Sequence, residues 1–104
     1  WQGERVIPTA AVQSISGGGD PAKFAGAGYT TLPGGSYRSQ WWALHNKNSA
    51  YSARGIHGQA IYVDPAAEMV IARFATFPIS FNAAIDPTSL PAYQAVADYL
   101  INKP

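Results

Sequence analysis

The sequence predicts an α+β fold in which a three-stranded antiparallel meander carries a C-terminal helix. Residues 37–44, 55–64 and 68–76 are rich in β-branched and aromatic side chains, which is typical of strands. The polar segment 45–52 and an Asp-Pro turn separate them, and links this short favour antiparallel neighbours. Residues 88–104 repeat apolar side chains at helical spacing. We expect this helix to lie across one face of the meander.

Two short helices are predicted before the meander begins. Pro8 suits the first position of a helix near residues 8–16. Asp20 and Pro21 form the cap and first turn of a second short helix. Residues 26–36 are rich in glycine, so we expect an irregular connection there.

Length and composition indicate one segment, 1–104, without a second domain. Charged residues make up 12% of the chain, which is about half of the usual fraction. Two explanations stay open: another segment covers part of the surface, or the chain is a weakly charged monomer.

Several partner and compartment classes lack support in the composition. The net charge is +1 and the basic residues are scattered, which argues against nucleic-acid binding. No apolar run approaches the ~20 residues that span a bilayer, so no membrane partner is predicted. The chain begins at Trp1 without a signal-peptide pattern, as if from an internal start. Cysteine is absent, which excludes disulfides and leaves the compartment open.

The side chains that carry chemistry do not form a known catalytic or metal motif on their own. No serine lies in G-x-S-x-G or S-x-x-K, and no tyrosine begins Y-x-N. His45 and His57 lack the spacing of a metal pair, so we predict no metal and no cofactor. Asp86 precedes a proline and is expected in a solvated turn. The glycine run 17–19 lacks phosphate-loop spacing and is expected to be a flexible linker.

Adjacent tryptophans, Trp41 and Trp42, should point to opposite faces of their strand. One can pack under the terminal helix, while the other faces outward or into a ligand site. Core packing of both rings is the other possibility.

The stretch "ARGIHGQ" (53–59) places two glycines inside a predicted strand, around Ile56 and His57. Glycine weakens a strand interior, and it marks places where a ligand or another backbone comes close. Strand alternation would put Gly55 and His57 on one face, and Ile56 and Gly58 on the other.

From "ARGIHGQAIYVDPAAEMVIARF", together with "GERVIP", "YRSQWWAL" and the final helix, the sequence resembles the C-terminal part of the penicillin-recognising serine hydrolases. This group contains the β-lactamases and the family VIII esterases. Within it, the sequence is most similar to 6-aminohexanoate-dimer hydrolase-like enzymes. The resemblance implies a β-lactamase/transpeptidase-like fold, in which the three strands form half of a five-stranded sheet.

The resemblance also implies roles for four residues. The third motif of the group, K-T-G or W-G-G, falls at 53–55, and the backbone N–H of Ile56 would then contribute to an oxyanion hole. Trp42 would form an aromatic wall, and Gly55 and His57 would lie against the substrate. A second register, with His57 as the first residue of the motif, places Gly58 too early.

The catalytic serine and lysine of S-x-x-K and the tyrosine of Y-x-N lie upstream in that group. The resemblance therefore implies a missing N-terminal partner segment, a small amide or ester substrate, and hydrolysis through an acyl-enzyme. The missing Lys-Thr pair argues against penicillin recognition. We expect this chain alone to be inactive and to self-associate through an exposed strand edge. The alternative is a non-enzymatic module that binds sugars or peptides through Trp42 and His57.

Overall fold

The structure, a computed structural model, describes residues 2–104 and contains one five-stranded antiparallel sheet with three α-helices. The strands neighbour one another in chain order. The predicted α+β class is correct, but the predicted number of three strands is wrong. The elements are α1 (Thr9–Gly17), α2 (Pro21–Gly26), β1 (Ser36–Arg38), β2 (Trp41–Ala43), β3 (Tyr51–Arg54), β4 (Ala60–Asp64), β5 (Met69–Arg73) and α3 (Asp86–Asn102).

The segment predicted as a first strand, 37–44, is a tight hairpin. β1 pairs with β2 in a register that sets Arg38 opposite Trp41. Ser39 and Gln40 between them have φ values of 52° and 68°. Two successive positive φ angles match the two-residue hairpin turn that usually contains Asn-Gly. Ser39-Gln40 is not a typical turn pair, so the sequence predicted one uninterrupted strand over residues 37–44.

The predicted second strand, 55–64, begins five residues later than expected, at Ala60. β3 instead occupies Tyr51–Arg54, part of which was predicted as a polar loop. Residues 55–58 connect the two strands through an extended Gly55 and a 3-10 turn at Ile56–Gly58. The two glycines therefore do not interrupt a strand. The predicted alternation of side chains along 55–58 is wrong, because these residues are not in a β-ladder.

The core lies between α3 and the β3–β5 part of the sheet. Tyr62 of β4 is buried and contacts Tyr93 of α3 with ring centroids 5.0 Å apart. Burial, and then the nearby charge of Asp64, raise the pKa of the Tyr62 hydroxyl. Lys47 in the β2–β3 connection lies 2.9 Å from Asp98, an exposed ion pair that joins this connection to α3. These contacts fix α3 across one face of the meander, as the sequence predicted.

The opposite face of the sheet carries exposed apolar side chains. Ile61 and Val70 alternate with residues of the α3 side and are 45% and 64% exposed. Tyr99 and Leu100 are exposed apolar residues of α3 itself. Exposed apolar side chains on both the open sheet face and α3 indicate surfaces that another segment could cover. Among residues 2–104, no helix is long and apolar enough to cross a membrane.

The glycine run 17–19 is not a uniform linker, because its members meet different surroundings. Gly18 has φ +68°, and a Cβ there would lie 2.2 Å from Ser36 Oγ and 2.8 Å from Ala43 Cβ. Gly17, the last residue of α1, would meet nothing within 4 Å.

Opposite effects on stability are therefore expected at these two adjacent positions. Gly18→Ala should lower the free energy of unfolding by about 2 to 3 kcal/mol, through steric overlap and left-handed strain. Gly17→Ala should raise it by up to about 1 kcal/mol, because alanine favours the helix and restricts the unfolded chain. Urea unfolding of both variants measures the difference, and equal effects would contradict this packing.

Candidate functional site

A cavity of about 300 Å³ opens where β3 ends, and we call it the β3 cavity. Three of the four residues singled out from the sequence line it: Trp42, Gly55 and Ile56. His57 is not part of the lining. The other lining residues come from the 29–32 connection, the end of β3, the 80–83 segment and the start of α3: Tyr29, Thr31, Leu32, Arg54, Ser80, Phe81, Asn82, Ala83 and Asp86.

The peptide group between Gly55 and Ile56 lies at the cavity, held from its carbonyl side. Asn82 Nδ2 donates to the Gly55 carbonyl oxygen over 2.7 Å. The N–H groups on either side are also engaged, that of Gly55 with Gln59 O and that of His57 with Ser80 O. Within residues 2–104, no hydrogen bond occupies the N–H of Ile56, whose residue is 67% exposed. Ile56 thus lines the cavity and carries a backbone donor without a partner among the described residues.

His57 holds the 77–80 segment against the 55–58 connection. Its Nδ1 lies 2.8 Å from Phe77 O, and its backbone N–H and C=O bond Ser80 and Phe77. The residue adopts a left-handed φ of 55°, so it does not continue the extended backbone of Gly55. His57 therefore supports the segment that closes one side of the cavity. A direct contact between its ring and a substrate remains a prediction.

Trp42 forms an aromatic wall on the other side of the cavity. Its ring meets Tyr29 edge-on at 5.0 Å and Phe24 at 5.9 Å. Trp41 lies on the opposite face, against Tyr51 at 5.4 Å, so the two tryptophans diverge as their adjacent positions predicted. Trp42 shares the α3 face of the sheet but packs against Phe24 of α2, Tyr29 and Tyr37, not under the terminal helix.

Two residues that line the β3 cavity, Arg54 and Asp86, form a buried ion pair. Arg54 Nη2 lies 2.6 Å from Asp86 Oδ1, and the two side chains are 10% and 5% exposed. Thr31 Oγ1 donates to the other carboxylate oxygen over 2.6 Å. The Arg54 guanidinium also lies over the Trp42 ring, with its carbon 5.3 Å from the centroid. The expectation that Asp86 occupies a solvated turn is therefore wrong.

Asn82 and Asp86 are the site residues that sequence reasoning missed. Each pairs with a partner about 30 positions away, since the Asn82–Gly55 and Asp86–Arg54 separations are 27 and 32 residues. Hydrophobic periodicity and turn patterns involve residues only a few positions apart, so they cannot predict contacts between such distant residues. The one indication in the sequence was Arg54 in the third motif, because a buried arginine needs a partner of opposite charge.

Hydrogen exchange can test the free donor on this chain alone. The N–H of Ile56 should exchange faster than those of Gly55, His57 and Gln59, because each of these three donates to a carbonyl and Ile56 does not. Exchange rates from NMR at neutral pH measure this order. Protection of Ile56 equal to that of His57 would show that its N–H already has a partner.

No family model matches the chain. It is 36% identical to the 6-aminohexanoate-dimer hydrolase of Paenarthrobacter ureafaciens over 77 residues, which are 73% of this chain and 20% of that enzyme. A solved structure from Bacillus anthracis, provisionally named a 6-aminohexanoate-dimer hydrolase, matches 96% of this chain at 29% identity with a TM-score of 0.74. The chain is similar to 6-aminohexanoate-dimer hydrolases. The resemblance seen in the sequence is therefore confirmed.

The match to these hydrolases covers most of this chain but only a minor part of each relative. The chain spans 20% of the Paenarthrobacter ureafaciens enzyme and 24% of the Bacillus anthracis protein. All five strands of the sheet described above lie within this short span. The expectation that the chain supplies three strands of a five-stranded sheet is accordingly wrong.

Proposed function

We propose that this chain is the C-terminal segment of a serine hydrolase that cleaves amide or ester bonds through an acyl-enzyme. Its contribution is an oxyanion-hole donor and a substrate wall, and the nucleophile comes from an upstream segment. The observation that carries the proposal is the unoccupied N–H of Ile56 at the β3 cavity, next to the Trp42 ring. The similarity to 6-aminohexanoate-dimer hydrolases supports the reaction class.

In the proposed reaction, a serine of the upstream segment attacks the carbonyl carbon of the substrate. Negative charge then develops on the carbonyl oxygen, and the Ile56 N–H donates to it. Asn82 bonds the carbonyl of the same peptide group, which polarises that group and strengthens its N–H as a donor. The amine or alcohol leaves, and water then hydrolyses the acyl-enzyme.

The surroundings of the donor favour an acyl group whose chain next to the carbonyl is apolar. Trp42, Tyr29 and the exposed Ile56 and Phe81 side chains present apolar surface to the β3 cavity. Arg54 is the cation within the third motif, but Asp86 already neutralises it below the surface. A carboxylate close to the scissile carbonyl, as in penicillins, would find its cation at the third motif already neutralised, which supports other amide or ester substrates over penicillins.

The burial of Ser36, the serine of this chain that contacts a histidine, supports a nucleophile outside this chain. Ser36 Oγ lies 2.7 Å from His45 Nε2, a distance that suits a nucleophile and its base. Ser36 is fully buried, however, and also accepts from the Gly19 N–H over 2.9 Å. A substrate carbonyl cannot reach it, so we assign this pair to holding the α1–α2 connection on β1.

The exposed apolar surfaces support an upstream partner segment. Ile61 and Val70 on the open sheet face, and Tyr99 and Leu100 on α3, would be covered by it. The outer edge of β5 pairs with no strand among the described residues. In the isolated chain, these features should promote self-association.

A non-enzymatic binding module is the second candidate, and one observation favours it. A second cavity of about 500 Å³ lies behind Trp42 and Tyr29, lined also by Phe24 and Tyr37. Aromatic rings of this kind suit stacking of a sugar or peptide. His57 lines neither this cavity nor the β3 cavity, so support for this candidate comes from Trp42 and the neighbouring rings alone.

A chimera separates the two candidates. This chain would replace the matching fifth of the Paenarthrobacter ureafaciens enzyme, and gel filtration and circular dichroism would establish folding. We expect the folded chimera to hydrolyse the 6-aminohexanoate dimer or a p-nitrophenyl ester, and the chain alone to hydrolyse neither. A folded chimera without activity, combined with ligand binding by the isolated chain, would favour the binding module.

A further inference from the structure

Three residues that line one small cavity between α3 and the sheet carry buried polar atoms without partners, and two of them, Arg54 and Asn82, also line the β3 cavity. Arg54 Nη1, Asn82 Oδ1 and Tyr93 Oη are buried and have no hydrogen-bond partner among the described residues. All three residues line a cavity of about 20 Å³, which we call the inner cavity. Buried polar atoms without partners are rare in native proteins, and each normally has an explanation.

We propose that the inner cavity binds one water molecule, which bridges Arg54, Asn82 and Tyr93. A water needs roughly 10–15 Å³ of such space and two to four polar partners. The inner cavity supplies room for one molecule and three partners. Arg54 Nη1 donates to the water oxygen, the water donates to Asn82 Oδ1, and its remaining bond is with the Tyr93 hydroxyl.

The chemistry of the lining selects water over an ion. Asn82 must direct Nδ2 toward the carbonyl of Gly55, which can only accept, so Oδ1 is the amide atom left buried without a partner. The occupant must therefore donate to Asn82, which no simple anion can do. It must also accept from Arg54, which no simple cation can do. The lining holds two guanidinium groups, of Arg54 and Arg73, and one carboxylate, of Asp86, so its net charge also disfavours a cation.

The bridge would add a further link between three parts of the fold, two of which the Arg54–Asp86 ion pair already joins. Arg54 ends β3, Asn82 begins the 3-10 turn before α3, and Tyr93 lies in the middle of α3. The water would thereby fix the amide of Asn82, which holds the Gly55 carbonyl. This inference does not depend on the proposed function, because it rests on the inner cavity alone.

The direction in which Tyr93→Phe changes the stability of the fold tests the water bridge. If the Tyr93 hydroxyl bonds the water, Tyr93→Phe should raise the unfolding equilibrium constant by about two- to tenfold, the usual effect of one lost hydrogen bond. If the hydroxyl has no partner, the same change removes a buried unsatisfied group and should leave the constant unchanged or lower it. Tyr99→Phe is the matched control on α3, since Tyr99 is 67% exposed, and it should change nothing.

A crystal structure of the chain that shows ordered waters provides a second measurement, which holds even if Tyr93→Phe fails to fold. We expect one density peak within hydrogen-bond distance of Arg54 Nη1, Asn82 Oδ1 and Tyr93 Oη. An empty inner cavity, or direct pairing among these three atoms, would overturn the proposal.

Discussion

Replacing Ile56 with proline in the active chimera is expected to lower kcat by roughly 10²- to 10³-fold, the usual cost of one lost oxyanion donor. Proline removes the backbone N–H and leaves the rest of the peptide group in place. The local backbone can accept it, because Gly55 is extended (φ −106°, ψ 172°), as residues before proline prefer. Ile56 also begins a short helical turn, where proline is tolerated.

Ile56→Ala is the matched control for this loss, because alanine shortens the side chain but keeps the N–H. Its kcat should stay within a few fold of the unsubstituted chimera, while KM can rise through lost apolar contact. Steady-state kinetics on a p-nitrophenyl ester would separate the two variants. Equal losses of kcat, or a proline variant with unchanged kcat, would show that the Ile56 N–H does not stabilise the transition state.

Breaking the buried ion pair is expected to have the largest effect on stability. Arg54→Ala should lower the free energy of unfolding by about 3 to 5 kcal/mol, because it leaves the Asp86 carboxylate buried without its cation. Asp86 is 4% exposed and would keep only the Thr31 hydroxyl as a partner. Such a loss is a large part of the whole stability of a small domain.

Lys47→Ala is the control for the ion pair, since it removes a contact of similar length in a different environment. The Lys47–Asp98 pair measures 2.9 Å but its side chains are 65% and 40% exposed, so water and salt screen it. Chemical unfolding should show little change for Lys47→Ala. The double replacement Arg54→Met with Asp86→Leu should recover much of the lost stability. Similar losses for the buried and exposed pairs would contradict the burial described here.

The parts of the fold predicted correctly are those with strong local signals. α1 and α2 follow from Pro8 and the Asp20-Pro21 pair, and Asp20 Oδ1 indeed accepts from the N–H of Ala22 over 2.9 Å. α3 follows from its apolar repeat. The strand count failed at two turns whose residues carry weak signals: Ser39-Gln40, and the 55–58 connection, where glycines inside an apolar run concealed a break between strands.

For the candidate site too, some residues were predicted from the sequence and others were missed. The family resemblance pointed to Trp42, Gly55 and Ile56, and these three residues line one cavity. Asn82 and Asp86 could not be found, because their roles arise only when distant segments meet. His57 was predicted to share a face with Gly55 on the assumption of an extended strand, and the left-handed conformation at His57 removes that assumption.

The most direct test of the central claim is the intact mass of the free chain and of the chimera after exposure to a fluorophosphonate. We expect the mass of the free chain to stay unchanged, and the chimera to gain one adduct on a serine outside residues 1–104. An adduct on a serine of the free chain would contradict the account, because an activated nucleophile would then lie within this segment.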